Sequence, residues 1–346
     1  MKRVLIGMSG GVDSSVAAYL LKEQGYEVVG LTMSLFVSNS QEGCTSSSVI
    51  EDAKKVCDRL GIEHHILDLK QAFKSHVIDN FINSYLNAET PNPCVECNKF
   101  LKFGLMWEEA KKLNCDYIAT GHYASIKDNK LCKIDSPKDQ TYFLYKINKD
   151  LLSHILFPLQ DFTDKDKIRD IARTIGLEVS DKKDSQDICF IEGEYTNFLE
   201  QNIDKLPAKG NFILKDGTIV GQHKGIIYYT IGQRKGLGLS YHHPLYVVKI
   251  DVPNNKVILG KEEDLYSKKV YITDTNILVD NLPYKAQAKI RYKSNPISCT
   301  YEIIDDNNMI VIFDEPVKSV TPGQSLVLYD NDILLGGGII TNEENN

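Results

Sequence analysis

Residues 3–15 read Arg3-Val4-Leu5-Ile6-Gly7-Met8-Ser9-Gly10-Gly11-Val12-Asp13-Ser14-Ser15. The mostly apolar run to Met8 predicts a strand, and Ser9-Gly10-Gly11 a sharp turn. From Ser14 to Gln24, Val16, Ala17, Tyr19, Leu20 and Leu21 recur at helical spacing. Gly25 stops that helix, and EVVGLTM, ending at Met33, predicts a second strand. Strand, helix, strand makes a βαβ unit, which implies a parallel sheet and a right-handed crossover.

The pattern repeats outward. Residues 49–60, 71–86 and 99–113 predict helices, and residues 64–69 and 117–120 predict strands. Alternation over about 190 residues predicts a doubly wound α/β domain with its ligand at the carboxyl ends of the strands. Ser9 to Ser14, Met33 and Gly121-His122 fall at those ends. After about Gly193 the helical period fades. Short strand-like runs with Gly and Pro punctuation follow, and from about Leu265 to Ile340 their even spacing predicts a β-barrel or sandwich. The expected divisions are 1–195, an α/β catalytic domain; 196–264, a small mixed central domain; and 265–346, a C-terminal β-barrel.

The 346 residues carry 40 Lys plus Arg against 47 Asp plus Glu, a formal charge of −7, with 42% hydrophobic residues. This is ordinary globular composition and excludes a disordered chain, a collagen-like fibre or a coiled coil. No apolar run reaches the ~20 residues that span a bilayer, and the N-terminal apolar stretch is too short for a signal peptide. The expectation is a cytoplasmic protein with no membrane partner and reduced cysteines. The acidic average hides a local exception. Between Lys209 and Lys249, six basic residues (Lys209, Lys215, Lys224, Arg234, Lys235 and Lys249) face one acid, Asp216, a net +5. Tyr228, Tyr229, Tyr241 and Tyr246 interleave with them. Basic groups track phosphates and aromatics stack on unpaired bases, although Tyr can equally fill a core.

Gly7, Met8, Ser9, Gly10, Gly11, Val12, Asp13 and Ser14 make a candidate phosphate cradle. Two glycines let several N–H groups approach an anion, and the following helix adds positive partial charge. Asp13 can hold Mg²⁺ or cap the helix. The Lys of a P-loop, G-x-x-x-x-G-K-[ST], is missing. Farther on, Thr90-Pro91-Asn92-Pro93-Cys94-Val95-Glu96-Cys97-Asn98 predicts a stiff loop, with Cys97 just before a helix beginning near Lys99. That position lowers a thiol pKa and predicts an exposed, reactive thiolate. Cys189 lies in DKKDSQDICF, residues 181–190. Cys44, Cys57, Cys115, Cys132 and Cys299 read as packing.

The first of these motifs resembles the PP-loop, SGGxDS, of the ATP pyrophosphatase superfamily. With the Cys loop and DKKDSQDICFI, the chain resembles the bacterial tRNA-specific 2-thiouridylases. So do Ala119-Thr120-Gly121-His122-Tyr123, the segment from Lys138 to Leu144, that from Tyr229 to Gly238, and Thr321-Pro322-Gly323-Gln324-Ser325. The likeness runs in order through nearly the whole chain. It implies an N-terminal PP-loop domain, ATP with Mg²⁺, and 2-thiolation of the wobble uridine of tRNAs for Lys, Glu and Gln. It implies ATP contacts from the loop, Met33 and Gly121. It implies tRNA contacts from Asn92, Pro93, Cys94, His122, Lys138, Asp139, Gln140, Arg234, Lys235, Arg291, Tyr292 and Gln324. Cys97 would be the nucleophile carrying a persulfide from a sulfur donor protein, a cysteine desulfurase or a sulfur carrier. Cys189 would then attack it, leaving a disulfide for a reductant.

The family often has Asp where this chain has Cys94. Three cysteines, Cys94, Cys97 and Cys189, also suit three irons of a [4Fe–4S] cluster. The persulfide relay is the first reading and the cluster its alternative. A PP-loop amide ligase and a non-catalytic tRNA-binding protein are the other classes. Tests of tRNA-dependent AMP formation and of pyrophosphate release separate them.

Overall fold

Val4, Leu5 and Ile6 have no solvent exposure because the strand that carries them is central and covered on both faces. The computed structural model describes residues 1–35, 47–181 and 188–342. Strands Arg3–Gly7 (β1), Glu27–Ser34 (β2), Glu63–Asp68 (β3) and Tyr117–Ala119 (β4) come first in the chain. A short hairpin follows, Ser125–Lys127 (β5) and Lys130–Cys132 (β6), and then Ile155–Leu156 (β7). The sheet order is β3-β2-β1-β4-β7, all parallel. The direction of winding reverses between β1 and β4. In such sheets the crevice at that point receives the ligand.

Helix Val12–Glu23 (α1) starts directly after the glycine turn and buries Val16, Ala17, Ala18 and Leu21. Ser47–Leu60 (α2) precedes β3. Residues 70–86 (α3) and 93–112 (α4) are continuous helices interrupted by π-helical stretches, Lys74–Ile78 and Cys97–Leu105. Lys165–Thr174 (α5) packs Ile168 and Ala172 into the core shared with α1.

The expected stiff loop ends earlier than its prolines suggest. Pro93 opens α4, at the start of a helix, where a missing N–H costs nothing and φ is already suitable. Cys97 therefore lies inside a helix, one turn in, and not ahead of one.

The central segment has one helix, Tyr195–Asn202 (α6), which the strand-like texture conceals, and strands Gly210–Leu214 (β8), Ile219–His223 (β9), Tyr246–Asp251 (β10) and Lys256–Gly260 (β11). Its Phe212, Val247, Val257 and Leu259 share a core with Phe73, Phe81 and Cys97 of the first segment.

Six strands follow: Tyr266–Ile277 (β12), Ala286–Lys289 (β13), Ile297–Ile303 (β14), Met309–Lys318 (β15), Ser325–Asp330 (β16) and Ile333–Thr341 (β17). Their order is β12-β15-β14-β13-β16-β17, and β12 pairs with β17, so the barrel closes. The β5–β6 hairpin continues this sheet through the pair Cys132–Ile333. Among the described residues no helix is long and apolar enough to cross a membrane.

Candidate active site

The turn after β1 is wound tightly around serine hydroxyls. Ser9 N–H donates to Ser14 Oγ at 3.2 Å, and the two hydroxyl oxygens lie 3.1 Å apart. The Ser14 and Ser15 hydroxyls donate back to the Gly11 carbonyl, at 3.2 and 2.8 Å. Gly10 has φ of +62°, and a Cβ there would meet the Val49 carbonyl oxygen at 2.8 Å. Only glycine satisfies both demands. Gly121, at the end of β4, lies against this turn. A Cβ on it would reach Ser14 N at 2.9 Å. A Cβ on Gly7 would touch Met33 at 3.9 Å. The structure thus gathers Gly7, the serine-glycine turn, Met33 and Gly121 at the switch point.

Asp13 is engaged on both carboxylate oxygens. Tyr123 O–H donates to Oδ1 at 2.9 Å, and Lys165 Nζ to Oδ2 at 2.9 Å. Sequence reasoning assigns neither partner a role. Lys165 leaves one signal: it opens α5 directly after the capping residue Asp164, where positive charge opposes the helix dipole. The turn, with its N–H groups and hydroxyls, suits a nucleotide triphosphate. Asp13 is a hard oxygen donor of the kind Mg²⁺ takes, and a metal there would have to share it with Tyr123 and Lys165.

The cysteines depart from expectation. Cys97 is 8% exposed, and burial pushes its thiol up to about 12, with Lys102 acting in the opposite direction. The exposed low-pKa thiolate expected there is not found, because the helix begins about six residues earlier than expected, at Pro93, and turns Cys97 into a core shared with Phe190 and Phe198. Cys94 is exposed. Its crowded surroundings still push its thiol up, but its exposure is the better guide to reagent access. Cys189, partly buried, packs against the core that holds Cys97, and its charge would raise both other thiols. Yet among the described residues no three His, Cys, Asp or Glu side chains form a group able to hold a metal ion. Residues 182–187, the charged run before Cys189, and Cys44 lie outside the described residues.

His122 is buried, with Nδ1 2.7 Å from Thr120 Oγ1 and its ring near Phe103 and Phe157. Desolvation, then Lys102, holds its pKa well below the usual value. Burial thus favours its neutral form. Asp139 and Gln140 spend their side chains internally. Asp139 accepts from Thr141 Oγ1 at 2.7 Å and Gln140 Oε1 from Tyr123 N–H at 2.9 Å. Lys138 is half-buried beside them.

Gln324 Nε2 donates to the Thr90 carbonyl at 2.9 Å, joining the barrel to the segment leading to Asn92 and Pro93. Arg291 donates to the Ser319 carbonyl and to Thr321 Oγ1. Gln324, Arg291, Thr90, Tyr195 and Gln233 line one cavity of about 550 Å³ where the three segments meet. Tyr292 turns away to pack on Phe143, ring centroids 4.6 Å apart. Arg234 and Lys235 are exposed, but Tyr228 and Tyr229 are buried and do not offer stacking faces. Their rings fill the core beneath the basic segment.

Three family descriptions match the chain in order: "tRNA methyl transferase HUP domain" over residues 2–193, "tRNA methyl transferase PRC-barrel domain" over 196–261, and "Aminomethyltransferase beta-barrel domain" over 267–340. The protein named tRNA-specific 2-thiouridylase MnmA from Clostridioides difficile is 46% identical over 98% of both chains. Proteins of the same name from Clostridium acetobutylicum and Halothermothrix orenii are 47% and 48% identical, each over 98% of this chain and 99% of theirs. Among solved structures, the U34-tRNA thiolase NcsA from Methanococcus maripaludis is 21% identical, with a TM-score of 0.36, covering 58% of this chain and 62% of that one, a likeness too loose to argue from. Identity of the order found with the three curated relatives, sustained across all three segments, means that the chain belongs to the tRNA-specific 2-thiouridylase family.

Proposed function

We propose that the protein is a tRNA-uridine 2-sulfurtransferase acting on the wobble uridine of tRNAs for Lys, Glu and Gln. The observation that carries this reading is the meeting of Gly121 and Ser14 at the switch point of a PP-loop fold, in a chain whose relatives are named for this activity. ATP lies with its phosphates on residues 7–14 and its base toward Met33. The uridine O2 attacks the α-phosphate, and pyrophosphate leaves. Mg²⁺, when bound, neutralises phosphate charge, and Asp13 is the residue that would hold it.

Cys97 carries the outer sulfur of a persulfide delivered by a donor protein. That sulfur attacks C2 of the adenylated uridine, and AMP departs. The Cys189 thiolate then attacks the inner sulfur of Cys97. The S–S bond to the base breaks, its electron pair stays with the new thiocarbonyl, and a Cys97–Cys189 disulfide remains for a dithiol reductant to clear. Burial keeps the resting Cys97 thiol protonated, and Lys102 is the cation that favours an anionic sulfur there. The uridine leaves an anticodon loop that is already single-stranded, so extrusion costs little. Arg234, Lys235 and the cavity at Arg291 and Gln324 hold the RNA.

The test is the purified protein with ATP, cognate tRNA and a persulfide donor. Pyrophosphate release that requires tRNA, with 2-thiouridine found by nucleoside mass spectrometry, supports the reading. Pyrophosphate release indifferent to tRNA, or no thiolated nucleoside, overturns it.

A further inference from the structure

Lys146 is among the most buried cations of the described chain, its side chain 2% exposed, and it bridges two acids far apart in sequence, one in α4 and one in β12. Its Nζ lies 2.7 Å from Glu96 Oε1 and 2.6 Å from Asp274 Oδ2. Glu96 immediately precedes Cys97. The residue immediately after it, Asn98, donates from Nδ2 to the Phe143 carbonyl at 3.0 Å. Both neighbours of Cys97 are thus anchored to the single segment 143–146.

That segment is in turn held by the barrel. Asn276 of β12 donates to the Tyr145 and Ile147 carbonyls, at 2.6 and 2.9 Å, gripping the chain on either side of Lys146. Asp274 sits where β12 slips register against β17, with φ of +48°. The irregularity carries its carboxylate out of the ladder, toward Lys146 and toward Lys99, 3.8 Å away. A regular strand would have kept the ladder and lost both contacts. A desolvated lysine is retained only with close partners, so this arrangement is specific to one relative position of α4 and the barrel.

We propose that Lys146, with Glu96 and Asp274, is a positioning device that fixes Cys97 relative to the barrel, so that sulfur transfer, and not adenylation, depends on how the barrel is seated. The inference rests on the thiolation reading above and adds residues to it. The phosphate turn makes none of these contacts, so the first half-reaction is insulated from them.

Lys146→Met keeps the stem and removes the charge. Asp274→Asn is milder, because Asp274 is half exposed. Two half-reactions are read separately: tRNA-dependent pyrophosphate release, and transfer of sulfur from a persulfide-loaded enzyme. Both variants should release pyrophosphate within twofold of the parent. Transfer should fall at least tenfold in Lys146→Met and three- to fivefold in Asp274→Asn, and Lys146→Arg should recover part of it. The alkylation rate of Cys97 should rise in both, since the helix is no longer held. Equal loss of both half-reactions, or parental transfer and labelling in Asp274→Asn, overturns the proposal. If Lys146→Met does not fold, Asp274→Asn alone decides between these outcomes. A parent that never thiolates refutes the thiolation reading instead, and Cys97 labelling still reports on the device.

Discussion

Lys165 places its ammonium 2.9 Å from Asp13 Oδ2 across 152 residues of chain, with its own side chain only 10% exposed. The contact fastens the start of α5 to the start of α1 at the mouth of the phosphate turn. Removing the lysine leaves a carboxylate that still reaches water. The cost should be about 1–2 kcal/mol, less than the ~3–5 of breaking a fully buried pair. Lys165→Met is therefore expected to fold, to melt a few degrees lower, and to show weaker ATP binding with tRNA affinity retained. Calorimetric titration with a non-hydrolysable ATP analogue checks this, and unchanged ATP affinity would remove Lys165 from the site.

Gly121→Ala should be more damaging than its single methyl suggests. The new Cβ would lie 2.9 Å from the Ser14 nitrogen and 3.0 Å from the Asp13 carbonyl carbon, both backbone atoms that cannot swing aside. The turn must shift, so pyrophosphate release should drop at least a hundredfold. Filter binding of tRNA should hold within threefold. A variant with normal release would show that β4 does not close the nucleotide site.

The thiols should label in an order set by exposure. With its pKa pushed up to about 12 by burial, Cys97 is held as the thiol near neutral pH. Iodoacetamide should modify Cys94 first. The rate at Cys97 should rise about tenfold per pH unit from 7 to 9.5 without a plateau, because only the deprotonated form reacts. Peptide mass spectrometry across that range decides, and a Cys97 plateau below pH 8 contradicts the buried-thiol account.

Arg234→Ala with Lys235→Ala should weaken tRNA binding and make its logarithmic salt dependence shallower by roughly 1.5, as two phosphate contacts to a single-stranded region would. ATP affinity should not change. An unaltered salt slope would mean that these exposed side chains face only solvent.

The α/β order and the glycine turn are legible in the sequence because they are local: one period, one punctuation, one pair of glycines. Burial of Cys97 is not, since it depends on Pro93 serving as a first helical residue and on a core assembled from α3, α6 and β8 to β11. Lys146 and Lys165 are invisible for a similar reason. Their partners, Asp274 and Asp13, are remote in sequence, and a lone lysine in a polar stretch reads as a solvated one. The β5–β6 hairpin escapes because three-residue strands show too little alternation to stand out. The basic segment is legible as charge but not as surface: Arg234 and Lys235 are outside, while Tyr228 and Tyr229 are inside.

That small hairpin makes the catalytic end and the barrel inseparable. Leu131 and Tyr145 from one share a core with Val327, Tyr329 and Leu334 from the other. A cut near residue 195 would leave two greasy wounds rather than two soluble halves. Heating should accordingly melt both ends in a single cooperative step, and a chimera that exchanges the barrel between relatives would have to carry residues 125–147 along with it.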